Sequence, residues 1–151
     1  MQTIGYECNS ERMKKLPHTG SWSLLVRLDF ADDDAWNQLV GIAEQENEDG
    51  YQAGLDFIND KTWSGFSAEQ LRLAVPPGDD GASVLFAADA QTFKDPGHPV
   101  IVIDLSEERE PFRCVATELG GIEANLNIAN MDWEDFSENT DADGVFRGFE
   151  D

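Results

Sequence analysis

The sequence predicts a single α/β domain, a sandwich around a mixed β-sheet with helices packed on it. Three observations carry that expectation. Short apolar runs alternate with amphipathic segments in the order strand, helix, strand, helix, strand, strand, strand, the pattern of a layered α/β fold. At 151 residues the chain has single-domain length, and with 40% hydrophobic residues it has material for one core. Helical segments separate the first strands, which implies parallel pairing through right-handed crossovers; the later strands are close enough for hairpins.

Each element has a local reason. Ser23-Leu-Leu-Val-Arg-Leu-Asp-Phe30 is a nearly continuous apolar run, as expected of a strand covered on both faces. Asp32, Asp33 and Asp34 follow, acids suited to the unpaired N–H groups and positive dipole end of a helix N-terminus. In that helix Trp36, Leu39, Val40 and Ala43 share one face. Residues 45–50 form a polar, acidic exit, and 51–58 a second strand. Ser67-Ala-Glu-Gln70 is a capping box opening a short helix that runs to Val75, where Pro76 and Pro77 end it. Residues 78–81 read as a turn, 83–89 as the third strand and 94–99 as a loop by their Asp, Pro and Gly content. Val100-Ile-Val-Ile-Asp-Leu105 has the most apolar core of any strand and belongs near the centre of the sheet. Residues 112–116 form the next strand, and Val145–Phe149 a last one.

From Thr117, the residues Leu119, Ile122, Leu126, Ala129, Trp133 and Phe136 recur every three or four positions on one helical face. A break near Asn130-Met131 is expected, with Asp132 capping a second helix. Trp36, Leu39, Val102, Ile103, Leu126, Trp133 and Phe136 are the expected core. The first 22 residues differ from the rest: three basic and two acidic side chains give them +1, which leaves −22 on the remainder. They read as a loosely held arm, 1–22, on a domain spanning 23–151, with Ile4, Tyr6 and Leu16 available to dock it.

Several of these phrases resemble a known family. They are Leu24-Leu-Val-Arg-Leu-Asp-Phe30 before an acid-capped Ala-Trp helix, Asp95-Pro-Gly-His-Pro-Val-Ile-Val-Ile-Asp-Leu105, and above all Asn127-Ile-Ala-Asn-Met-Asp-Trp133 with Asp143-Gly-Val-Phe-Arg-Gly-Phe149. Over residues 23–149 the chain looks like a family of small bacterial proteins of actinomycete type, grouped as a domain of unknown function. The resemblance implies a complete bacterial domain and lends no catalytic residues.

Charge narrows the function classes. Thirty-one Asp and Glu against ten Lys and Arg give −21, which favours solubility and attracts cationic partners. Direct binding to nucleic acid is not expected, because no basic patch appears. Two cysteines, Cys8 and Cys114, are too few for a disulfide framework, and no apolar run approaches 18 residues. The expectation is a cytoplasmic, soluble protein with no membrane association. Nor is catalysis expected. His18 lies in the arm, His98 in a turn and Cys114 on an apolar strand, and there is no phosphate loop, dinucleotide fingerprint or nucleophile elbow.

Two sets of residues are candidate sites. Glu134, Asp135 and Glu138 project from the last helix, one of three acidic stretches with 44–49 and 107–110, and suit steering of a basic protein partner towards aromatic anchors. On this reading the protein is a non-enzymatic acidic binding protein, of inhibitor or immunity type. The second set, Asn139, Asp141, Asp143 and Glu150, falls at positions 1, 3, 5 and 12 of a calcium loop, with Gly144 at 6. Asn at position 1, Arg147 at position 9 and the absence of room for an exiting helix depart from that pattern; the alternative is a solvated turn before the final strand. A third reading, a metal-dependent enzyme, would use Asp29, Asp56, Asp89 and Asp104 near the strand ends.

Overall fold

Strands β1 (Ser23–Arg27) and β3 (Val84–Ala88) are buried at every residue, which requires cover on both faces of the sheet that contains them. The computed structural model describes residues 15–16, 23–45, 54–75, 83–127 and 131–148. The remaining strands are β2 (Leu55–Ile58), β4 (Val100–Asp104), β5 (Phe112–Cys114) and β6 (Val145–Phe146). They form one six-stranded sheet in the order β2-β1-β3-β4-β5-β6. Leu25 of β1 faces Phe57 of β2 and Phe86 of β3 in parallel register. The chain then reverses: Phe86 lies opposite Val102 and Val100 opposite Cys114 in antiparallel pairs, while β6 runs parallel to β5. The mixed sheet is the expected one, and β4 lies inside it.

Among the described residues five helices cover it: α1 (Asp33–Ala43), α2 (Ala68–Ala74), α3 (Ala90–Lys94), α4 (Leu119–Asn127) and α5 (Trp133–Ser137). Alternation along the strands sorts the core into two layers. Leu25, Phe86, Val102 and Cys114 pack with Trp36 and Leu39 of α1, Ile122 of α4, and Trp133 and Phe136 of α5. Leu24, Val26, Leu85 and Ile103 pack on the other side with Leu71 and Ala74 of α2, Trp63 and Leu16. Leu16 is 1% exposed, and its N–H donates to the Ala74 carbonyl at 2.8 Å. That much of the arm is docked. Of the seven expected core residues, Leu126 alone is only half-buried, at the rim of the first layer.

The helix ends follow their local chemistry. Asp32 accepts the Ala35 N–H at 3.0 Å, and the Ser67–Gln70 box is reciprocal at 2.8 and 3.1 Å. The long apolar face after Thr117 divides into α4 and α5, and at the start of α5 the Asp132 N–H donates to Asp135 at 2.9 Å. Three differences are local. Residues 90–94 form α3, which the turn-rich stretch from Lys94 concealed; Asp89 caps it, and the Thr92 hydroxyl reaches back to the Asp89 N–H. The first strand ends at Arg27 rather than Phe30. The last strand comprises Val145 and Phe146, and Phe149 lies outside the described residues, as do the expected turn at 78–81 and most of the exit at 45–50.

Two polar clusters hold the ends of the sheet. At the amino ends, buried Glu123 accepts the Gly54 N–H at 3.0 Å and the Asn127 side-chain amide at 2.7 Å; Asn127 accepts the Ser83 N–H and donates to Ser23. A pair on α4 thus closes the starts of the parallel strands. At the other end Arg113 forks onto Asp89 at 2.8 and 3.0 Å. Burial alone would raise the Asp89 pKa; the Arg113 hydrogen bond, the Thr92 N–H and the Arg113 charge outweigh it and hold the carboxyl below its ordinary value.

Phe136 packs edge-on to Phe146 at 5.3 Å in the first layer, so Phe136→Ala is expected to cost about 3–5 kcal/mol in denaturant unfolding, the range for a buried aromatic. A loss under about 1 kcal/mol would mean that α5 is not packed as described. Asp89 supplies a pH-dependent contribution. Because its folded pKa is depressed, that stabilisation is fully present above the unfolded value of about 3.9 and is lost as pH falls through the folded one. Asp89→Asn should therefore destabilise the protein at pH 7, with the difference from wild type shrinking on acidification below pH 4; urea midpoints across that range measure it.

Candidate functional site

The end of the sheet where β4 finishes and β5 begins gathers Asp104, Glu107, Glu110, Asp132 and Glu134 around two grooves. Helix α5 lies across it because two aromatics turn inwards, Trp133 edge-on to Phe112 at 4.8 Å and Phe136 onto Phe146. That leaves Glu134, Asp135 and Glu138 exposed on the outer side. The expected interaction residues are thus on one face, in different circumstances. Glu134 approaches Arg109 at 3.3 Å, Asp135 is engaged at the start of its own helix, and Glu138 has no side-chain partner among the described residues.

Arg109 organises this surface, although in the sequence it only dilutes the acidic stretch 107–110. It binds Asp104 at 2.9 Å and Glu107 at 3.0 Å besides Glu134. The Asp104 hydrogen bond first, then the charges of Glu107 and Glu134, raise its pKa further. Asp104 is almost fully buried and also accepts the Ser106 and Glu107 N–H groups, so the β4–β5 loop is folded around its carboxylate. The signal in the sequence was an arginine with acids two and five residues before it.

Two grooves flank the Arg109–Glu134 pair and share Trp133 as a wall. One, of about 470 Å³, runs past Glu110, Phe112, Ser137 and Thr140. The other, of about 410 Å³, runs past Asp104, Glu107, Met131 and Asp132. Five carboxylates and one guanidinium line the pair. Such a surface can receive a cationic side chain in each groove while its aliphatic stem lies on Trp133 and Met131.

The loop from Asn139 adjoins the first groove. Asp141 makes a turn in which its Oδ1 accepts the Asp143 and Val145 N–H groups at 2.9 and 3.0 Å, and Arg147 donates to its Oδ2 at 2.7 Å. The Arg147 hydrogen bond first, then the backbone donors, hold the Asp141 carboxyl below its ordinary value. Asn139 donates its amide to the Asp135 carbonyl at 2.7 Å, and Gly144 takes the left-handed conformation, φ +79°, that closes the turn. The Asp143 side chain is exposed; Glu150 lies outside the described residues.

The strand-end aspartates do not gather. Since β4 is antiparallel to β3, Asp104 is at the opposite end of the sheet from Asp29 and Asp89, and Asp56 is within β2. Among the described residues no three His, Cys, Asp or Glu side chains converge as metal ligands would. His98, at φ +51°, directs Nδ1 to the Thr92 carbonyl at 3.3 Å. Cys114 is wholly buried, and burial, followed by the charge of Glu118, drives its thiol pKa far above the ordinary value, which leaves it a packing group. No helix among the described residues is long and apolar enough to cross a membrane. His18 and Cys8 lie outside those residues.

No curated protein matches the chain. A family model described as a domain of unknown function, DUF6924, matches residues 22–149, nearly the span 23–149 over which the resemblance was expected. The chain belongs to the DUF6924 family.

Proposed function

We propose that this domain is a non-enzymatic acidic binding protein, of inhibitor or immunity type, acting on a basic protein partner in the bacterial cytoplasm. The observation that carries the reading is the pair of acidic grooves meeting at Trp133, with Glu110 exposed in one of them and Glu138 exposed on the adjoining helix. Complementary charge steers encounter and fixes register, and a partner's Arg or Lys stems find apolar walls there. Glu134 is already shared with Arg109, so a partner arginine would exchange one charge-assisted bond for another there and gain more at Glu110 and Glu138.

Stopped-flow association with a captured basic partner tests this. The rate constant should fall steeply as ionic strength rises, because exposed charges are screened over about 8 Å at physiological salt. Charge reversal at Glu134, Asp135 and Glu138 should lower the on-rate more than it raises the off-rate. Association insensitive to salt and to these reversals would remove the reading.

The left-handed Gly144 after Asn139, Asp141 and Asp143 favours calcium binding by the 139–150 loop as a second reading. A real site would raise the melting temperature in proportion to the logarithm of calcium concentration, and Glu150→Gln would abolish the rise. We expect no calcium-specific shift, since Asp141 is committed to Arg147 and to two backbone donors. A calcium-specific rise that grows with concentration and is lost in Glu150→Gln would promote this reading over the first.

A further inference from the structure

We propose a second site, a pocket for a small carboxylic acid at the carboxyl end of β1, where the ligand carboxylate would bind the edge of the Arg27 guanidinium. In open α/β sheets ligands collect outside the carboxyl ends of the strands. The carboxyl ends of β1 and β2, which pair in parallel, border a cavity of about 320 Å³ lined by Arg27, Phe30, Asp33, Trp36, Asn59 and Lys61, among others. That volume is at the small end of the range for ligand pockets.

Arg27 is the reason to expect an anion in it. Its side chain is 2% exposed, yet the carboxylate bound to it, Asp33 at 2.8 Å, is 82% exposed. Its other partners are neutral, the Asp29 carbonyl at 2.8 Å and the Asn59 side-chain oxygen at 3.2 Å. A guanidinium has five N–H donors, and these bonds use three; two have no partner among the described residues. A buried cation matched by one screened surface carboxylate is under-compensated.

The surroundings select the ligand class. The guanidinium carbon lies 4.5 Å from the Phe30 ring centre and 5.6 Å from that of Trp36, so aromatic rings pack against it and its N–H edge is what remains to bind. A planar carboxylate meets that edge with two parallel bonds. Phe30 and Trp36 then offer apolar surface to the body of the acid. Lys61 adds a second cation on the wall, whereas Asp33 and the neighbouring acids of α1 disfavour the doubly charged phosphate. An incoming carboxylate would compete with Asp33, which holds one of the guanidinium donors at 2.8 Å.

The test is a titration of the full chain with sodium benzoate against sodium chloride at equal ionic strength. It is followed by the NMR signals of the Arg27 Nε–H and the Trp36 indole N–H. Saturating shifts with benzoate and none with chloride are expected. Asp33→Asn, at an exposed position, should tighten benzoate about tenfold by removing the internal competitor. Lys61→Ala should weaken it about threefold, as for an exposed charge. Linear or chloride-equivalent shifts, an unchanged affinity in Asp33→Asn, or tighter binding of inorganic phosphate than of benzoate would each overturn the proposal.

Discussion

The direction of β4 is the constraint on which the rest of the structure depends. Residues 89–99 connect it to β3, and a parallel crossover needs about a dozen residues or more, usually with a longer helix than α3. The chain therefore reverses, and the carboxyl end of β4 emerges at the amino ends of β1 and β3. Asp104 is carried there with it, away from Asp29 and Asp89. Its buried carboxylate folds the following loop and fixes Arg109, which in turn reaches Glu134 on α5. One reversal thus divides the molecule into an acidic end built around Arg109 and an opposite end built around Arg27 and Arg113.

The two ends solve the same problem differently. A protein of net charge −21 has few cations to place, and Arg27, Arg109 and Arg113 each serve a carboxylate. Arg109 is one-third exposed and binds three acids, so its end stays strongly negative and open to further cations. Arg113 is satisfied by a fork onto Asp89 and by the Pro99 carbonyl, and it serves the packing of α3 against the sheet. Arg27 is the most buried of the three and the least compensated. On the proposed readings, the preference of one end for basic groups and of the other for a carboxylate would follow from how completely each arginine is neutralised at home.

Much of the fold was legible from residue patterns because the signals were local. A continuous apolar run marked β1 as doubly covered, and the most apolar run placed β4 inside the sheet; Asp32 and Ser67 marked two helix starts; the recurrence from Leu119 to Phe136 marked α4 and α5 and the break between them. Helix α3 was not legible, since five residues contain too little periodicity to stand against Asp95, Pro96 and Gly97 just after them. The outward position of Glu134, Asp135 and Glu138 followed from the inward position of Trp133 and Phe136. Arg27 and Arg109 were not legible as organising groups. Arg27 meets Asn59 32 residues away, and Arg109 meets Glu134 across the break between α4 and α5. Such partnerships depend on strand direction, which no local pattern encodes.

The most direct test of the central claim is capture from lysate at low salt with immobilised wild-type protein and, in parallel, with Glu110, Glu134 and Glu138 all reversed to Lys. The account predicts a basic protein retained by wild type, released as salt rises, and absent from the reversed surface. Retention of the same protein by both surfaces, or retention that salt does not disturb, would contradict the claim that the acidic face beside Trp133 is where this domain binds.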